Sequence, residues 1–225
     1  MNHPWLLFDA DGTLFNYETA ERKALAATFM DTGLPYKTGD LQIYRAINGE
    51  LWAAFERGEI SQPDLHLQRF RRLLQALDLQ ADIPTFGERY LWNLGHNPDL
   101  IDGAEEVVAA LAQNHKLYLI TNGIPAVQYT RLELSPIRDH IQGITISGEV
   151  GHAKPDPRIF DNAFAGMGHP PRRDVLIIGD SLSADIQGGH AYGIDTCWYN
   201  PNGSESNLSI PITYTITSLH ELTAL

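Results

Sequence analysis

The 225-residue chain carries 28 acidic and 16 basic side chains, a formal net charge of −12. That balance argues against a nucleic-acid polymer as partner, because a phosphate backbone demands a basic footprint. It leaves room for a small phosphorylated ligand if a metal ion and a lysine reverse the field locally.

A single cysteine, Cys197, excludes an intrachain disulfide, and within Ile194–Tyr199 it reads as an inert core thiol on a strand. No apolar run is long enough to span a bilayer and no charged-then-apolar leader precedes the first apolar stretch. The expectation is a soluble cytoplasmic protein, either one large α/β domain or a core with a smaller insertion.

In chain order, Trp5-Leu6-Leu7-Phe8 is a continuous apolar run, the pattern of a strand buried on both faces of a parallel sheet. Asp9-Ala10-Asp11-Gly12-Thr13 follows. If extended geometry ends just after Asp9, both carboxylates point into the crevice beyond the strand's carboxyl end, where open α/β sheets bind ligands. The same residues also read as a plain acidic turn, since Asp and Gly are common turn formers. A calcium loop fits less well: it wants an acid or Asn fifth and Gly sixth, whereas Gly12 is fourth and Thr13 fifth.

After Thr13 the pattern is helical for about eighty residues, too many for a plain loop. Leu41, Tyr44, Ile47, Leu51 and Phe55 form one apolar stripe, broken at Gly58. Ser61 with Asp64 marks the start of a further helix, whose buried side is read as Leu67, Phe70, Leu74 and Leu77. Another helix is expected around Phe86, Tyr90, Leu91 and Leu94, before a turn at His96–Asp99. Residues 16–98 therefore read as a small helical bundle inserted into the core.

From Gly103 onward, helices alternate with short apolar strands. Helices are expected at Ala104–Leu111, through Tyr129 and Leu132, at Asp156–Met167 and at Ser181–Tyr192. Strands are expected at Lys116–Ile120, Ile141–Ile146, Val175–Ile178, Ile194–Tyr199 and Ile212–Ile216, with an exposed loop over Pro201–Pro211. This alternation gives an α/β fold built on a doubly wound parallel sheet.

Four strand ends carry complementary polar residues. Asp9 and Asp11 end the first, and Thr121 and Asn122 end the second, with the Asn122 and Gly123 N–H groups opening a helix where an anion is welcome. Gly151–Asp156 supplies Lys154, and Gly179–Asp185 supplies Asp180 and Asp185. Each has a bland alternative: Thr121 as a strand end, Lys154 as a solvated charge, Asp180 as a helix cap. All four meeting at carboxyl ends of separate strands is harder to explain that way.

In order and spacing, Asp9-Ala10-Asp11-Gly12-Thr13, Thr121, Lys154-Pro155 and Gly179-Asp180 with Asp185 resemble the four motifs of the haloacid-dehalogenase-like (HAD) phosphohydrolases. The resemblance implies a Rossmann-like core over 1–15 and 99–225, with residues 16–98 as its helical cap. It also implies Mg²⁺ and phosphoryl transfer through an aspartyl-phosphate. Phosphate monoesters resist hydrolysis so strongly that enzymes acting on them reach accelerations up to ~10²¹-fold. Such a site needs a nucleophile, an acid for the leaving oxygen, and positive charge around the equatorial oxygens.

On that resemblance Asp9 is the nucleophile and Asp11 the acid and base. Mg²⁺ takes Asp9, the backbone carbonyl of Asp11, and Asp180. Lys154, supported by Asp185, balances charge, while Thr121 and the N–H groups of Asn122 and Gly123 bind phosphate oxygens.

A C–halogen hydrolase of the same fold is the nearest rival. Halide needs no acid and no Mg²⁺, so Asp11, Asp180 and Asp185 favour phosphate. A phosphomutase shares the aspartyl-phosphate and remains open. A non-catalytic binding module would be expected to lack one of Asp9, Asp11, Lys154 or Asp180, and all are present.

Within the insertion, Tyr44, Asn48, Leu51-Trp52, Gly58 and Arg69-Phe70 resemble the cap pattern of YjjG-type pyrimidine nucleotidases, which dephosphorylate dUMP, dTMP or UMP. Arg131-Leu132-Glu133 and Ser218–Leu222 resemble the same group. Asn48, Trp52 and Arg69 are then the specificity candidates, with Trp52 equally readable as core. Sugar-phosphate phosphatases with the same cap class, including the sialic-acid 9-phosphate type, stay open, and none of the nine histidines has a convincing metal spacing.

Overall fold

The computed structural model describes residues 2–225. Strand β1 (Trp5–Phe8) runs in the middle of a six-stranded sheet with β2 (Lys116–Thr121), β3 (Ile141–Ile146), β4 (Val175–Gly179), β5 (Asp195–Tyr199) and β6 (Tyr214–Ile216). The order is β3-β2-β1-β4-β5-β6 and every pairing is parallel. The chain winds outward one way through β2 and β3, then returns to β4 and winds the other way. Beyond β1 and β4 the connections diverge, which opens the crevice where such sheets bind ligands.

The apolar runs are continuous because both sheet faces are covered. Leu6 and Phe8 pack with Val107, Val108 and Leu111 of α5 (Ala104–Leu111). Trp5 and Leu7 point the other way, toward Ile159, Phe160 and Phe164 of α8 (Pro157–Gly166). A strand alternates its side chains, so a single apolar run serves two cores.

Four helices follow β1: α1 (Tyr17–Asp31), α2 (Asp40–Glu56), α3 (Gln62–Ala76) and α4 (Ile83–Gly95). They bury a cluster of their own that includes Phe29, Tyr44, Phe70, Phe86 and Tyr90. The Tyr44 hydroxyl donates to that of Tyr90 at 2.8 Å, and the Phe70 ring centroid lies 5.0 Å from that of Tyr90. The two segments that join this block to the sheet run side by side. Asn16 N–H donates to the Asp99 carbonyl at 2.8 Å and Ile101 N–H to the Leu14 carbonyl at 2.8 Å. The block also leans on α6 (Pro125–Glu133), whose Val127 joins its cluster.

Ser61 caps α3 as expected, its hydroxyl accepting from Asp64 N–H at 3.2 Å. Its buried face differs from the expectation: Leu67 is 42% exposed, and Leu65, Arg69, Phe70, Leu73 and Leu74 face inward. At about 100° per residue, Leu67 stands roughly 200° round from Leu65, on the opposite side of the helix.

The stretch Ser181–Tyr192 is not one regular helix. A wide π turn over Leu182–Gln187 precedes the short α9 (Gly188–Tyr192). Both Asp185 N–H and Ile186 N–H reach the Ser181 carbonyl, at 3.0 and 3.2 Å. The short α7 (Ser147–Val150) and a 3₁₀ turn at Leu219–Ala224 are also present, neither foreseen in the sequence. No helix among the described residues is long and apolar enough to cross a membrane.

Candidate active site

Beyond the carboxyl ends of β1, β2 and β4 lies a cleft of roughly 620 Å³, lined from the sheet by Asp9, Thr121, Lys154 and Asp180 and from the helical block by Asn48 and Trp52. Its floor is set by a tight reversal after β1. Asp9 N–H still pairs with the Ile178 carbonyl at 2.9 Å, and then Leu14 and Phe15 N–H both turn back to the Ala10 carbonyl, at 3.0 and 2.8 Å. Gly12 sits at φ +89°, and a β-carbon there would stand 2.6 Å from an Asp180 carboxylate oxygen. Glycine is required twice over, for the left-handed backbone and for the approach of Asp180.

Lys154 is buried and spends all three ammonium protons inside the site. It donates to Asp9 Oδ1 at 2.5 Å, to Asp185 Oδ1 at 2.6 Å and to the Ile120 carbonyl at 3.0 Å. The lysine backbone is fixed by Asn122, whose amide nitrogen donates to the Lys154 carbonyl at 2.9 Å and whose oxygen accepts from Lys154 N–H at 2.7 Å. Asp185 is held by the π turn, its Oδ2 accepting from Ser181 N–H at 3.1 Å. Burial alone would lower the ammonium pKa, but Asp185 and Asp9 reverse that and leave it raised.

Oxygen atoms of Asp9, Asp180 and Asp185 lie within 4.8 Å of one another. Against one ammonium, three carboxylates leave an excess of two negative charges. The crowding is visible in the acids. Burial, with Asp185 and Asp180 adding to it and Lys154 opposing, raises Asp9 well above the ordinary carboxylate range. Burial and Asp185 push Asp180 up to about 7. Asp180 is exposed by surface area, yet the exposed area faces into the recessed cleft, so its walls still withhold solvent. An all-oxygen set with two surplus charges suits a hard divalent cation.

The remaining expected residues fall into place unequally. The buried Thr121 hydroxyl accepts from Gly123 N–H at 3.0 Å, so that amide is already partnered while the Thr121 proton is not committed. Asp11 lines the cleft, but its carboxylate is held by Gln128 and Arg131 of α6. Asn48 and Trp52 stand one turn apart on α2 and face the cleft. Arg69 does not line it: the guanidinium is buried behind Asn48, donating to Asn48 Oδ1 at 3.4 Å and lying over the rings of Phe70 and Tyr90.

Sequence reading missed Tyr17, Tyr199 and Asn202 on the cleft wall. Tyr199 ends β5 and Asn202 follows it, next to the strand that Asp180 follows, so topology was the only signal for them. Tyr17 accepts from the Asn48 amide at 3.4 Å and had no separate signature.

Comparison with known proteins gives the family. The family model described as haloacid dehalogenase-like hydrolase matches residues 6–199. The chain is 36% identical over 222 residues to the pyrimidine 5′-nucleotidase YjjG of Escherichia coli K12, covering 99% of this chain and 97% of that protein. It is 33% identical to the pyrimidine 5′-nucleotidase PynA of Streptococcus pneumoniae, covering 99% of this chain and 94% of the relative.

The crystal structure of the Bacillus subtilis HAD-hydrolase YfnB bound to magnesium superposes with a TM-score of 0.93 at 36% identity, covering 100% of this chain and 98% of that one. A 2-haloacid dehalogenase of Pseudomonas syringae, at 22% identity and a TM-score of 0.70, shares the fold. With the family model spanning the sheet from β1 to β5 and relatives matching nearly end to end, the chain belongs to the haloacid dehalogenase-like hydrolases.

Proposed function

We propose that this protein is a Mg²⁺-dependent phosphatase that hydrolyses pyrimidine nucleoside 5′-monophosphates through an aspartyl-phosphate on Asp9. The observation that carries the reading is Asp9 itself: a buried carboxylate tied to Lys154 on one oxygen, with only a 3.4 Å contact from Thr13 on the other. It sits in an acidic group that needs positive charge before an anionic ester can approach. In this reading residues 16–98 are the cap, and residues 1–15 with 99–225 the catalytic core.

Asp9, Asp180 and the backbone carbonyl of Asp11 would hold the cation, because Asp185 is already committed to Lys154 and to Ser181 N–H. When bound, Mg²⁺ neutralises the nucleophile and a phosphate oxygen together. The Thr121 hydroxyl and the Asn122 N–H receive the other phosphate oxygens, with the Lys154 charge beside them; Lys154 and the Gly123 N–H reach phosphate only by exchanging a partner that each now holds.

Asp9 attacks phosphorus, the bond from phosphorus to the nucleoside oxygen breaks, and Asp11 gives that oxygen its proton. Asp11 then takes a proton from water, the hydroxide adds to phosphorus, and Asp9 leaves as carboxylate with inorganic phosphate released. Both acids return to their starting states.

Substrate choice falls to the cap. The Asn48 amide presents a donor beside an acceptor, the complement of a pyrimidine edge, which offers an N3 position beside an exocyclic group. Arg69 holds that amide from behind and Tyr17 from the cleft wall, and Trp52 offers an aromatic face one turn along α2. That YjjG and PynA are named pyrimidine 5′-nucleotidases supports the same substrate class.

The test is release of inorganic phosphate from UMP, dUMP, dTMP, AMP and several sugar phosphates, with and without Mg²⁺. Metal-dependent turnover led by the pyrimidine nucleotides is expected. Equal or better turnover of sugar phosphates would move the assignment to a sugar-phosphate phosphatase.

A further inference from the structure

Asp11, unlike Asp9 and Asp185, makes no ion pair with the lysine. Both of its oxygens are engaged by α6: Gln128 Nε2 donates to Oδ2 at 2.5 Å and Arg131 Nη1 donates to Oδ1. The two donors are three residues apart, on one face of that helix. Arg131 is wholly buried and Asp11 is its only carboxylate partner among the described residues. Its guanidinium lies over the ring of Phe15, in the same reversal that carries Asp11, at 5.3 Å from the centroid.

Gly123 completes the arrangement, since a β-carbon there would collide with the Gln128 amide. Thr121–Gly123, which lead into α6, are the phosphate-binding candidates, so one short stretch of chain supports two parts of the site.

We propose that Gln128 and Arg131 are positioning residues that aim the Asp11 carboxyl at the leaving oxygen. This rests on the reading of Asp11 as the acid of the phosphatase. Each carboxylate oxygen has a second lone pair, so a clamp with one donor per oxygen fixes the plane of the group while leaving a site for the transferred proton. Asp11 stays partly exposed to the cleft, its side chain 26% accessible, although its arginine partner has no access at all. A purely stabilising ion pair gains nothing from that asymmetry, since a buried guanidinium loses its hydration before the pair forms.

The experiment is a leaving-group comparison by kcat/KM, which reads the first chemical step. The substrates are UMP, whose alkoxide must be protonated, and p-nitrophenyl phosphate, whose phenolate leaves without help. The variants are Asp11→Asn, Gln128→Leu, Arg131→Lys, Arg131→Met and the pair Asp11→Asn/Arg131→Met, each checked for an intact thermal transition.

Gln128→Leu and Arg131→Met should lose about 10- to 100-fold on UMP, within the ~10²–10⁴-fold range of general acid catalysis, and no more than a few-fold on the aryl ester. Arg131→Lys should recover part of the loss, and the paired variant should be no worse than Asp11→Asn alone. If Arg131→Met does not fold, Gln128→Leu and Arg131→Lys carry the comparison.

Equal losses on both esters by folded variants, or losses that add to that of Asp11→Asn, would overturn the positioning role. If Asp11→Asn shows the preference and the clamp variants do not, the clamp alone is wrong. If Asp11→Asn shows none, the acid assignment and the clamp fall together.

Discussion

Lys154 meets three acceptors with three protons, and two of those acceptors are buried carboxylates. Lys154→Met would leave Asp9 and Asp185 facing each other without compensation, and breaking a buried pair costs about 3–5 kcal/mol. Denaturant unfolding should show that loss together with the loss of activity. Asp9→Asn is nearly isosteric and keeps Lys154 paired with Asp185, so the fold should survive while phosphate release falls by roughly 10⁴-fold or more. Appreciable residual turnover in that variant would remove Asp9 as nucleophile. Cys197 is a different kind of residue: burial first, and Glu221 second, push its thiol up to about 12. It stays protonated at pH 8, and iodoacetamide should label it only after denaturation; rapid alkylation of the native protein would contradict its place in the core.

The helical block draws its stability from one aromatic cluster on α2, α3 and α4. Phe70 touches Tyr44, Phe86 and Tyr90, with ring centroids at 6.1, 5.3 and 5.0 Å. Phe70→Ala should therefore cost about 3–5 kcal/mol, read as a lowered denaturant midpoint. The same substitution should disturb Arg69, which lies over the Phe70 ring, and through it Asn48. Selectivity among nucleotides should consequently fall more than turnover of p-nitrophenyl phosphate; unchanged selectivity would detach Asn48 from substrate reading. The stripe on α2 was legible because its spacing keeps one face inward. That of α3 was misplaced because a helix with Arg69 on its buried side hides part of its inward face from a hydrophobic pattern.

Across the whole molecule the acidic cluster ties the proposed cation site to stability. A cation that binds only the folded state adds RT ln(1 + [L]/Kd), about 2.7 kcal/mol at a hundred times Kd. Mg²⁺ should raise Tm by several degrees in a chain of this size, and Asp180→Ala should remove most of that rise; an undiminished rise in the variant would exclude Asp180 as a ligand. The parallel sheet, the reversal after Phe8 and the residues at four strand ends could all be read in one dimension, because each is a local pattern: apolar runs, Asp-Gly at a turn, lysine before proline. What the chain order could not supply was pairing across long separations. Arg131 lies 120 residues from Asp11 in sequence, and Lys154 lies 145 from Asp9. A sequence names the charged groups, but which charges meet depends on the order of strands and on which helix face is buried. That is why the placing of polar residues at the strand ends was determined by the sequence itself, while the holding of Asp11 by α6 and the withdrawal of Arg69 behind Asn48 were decided only when the elements packed.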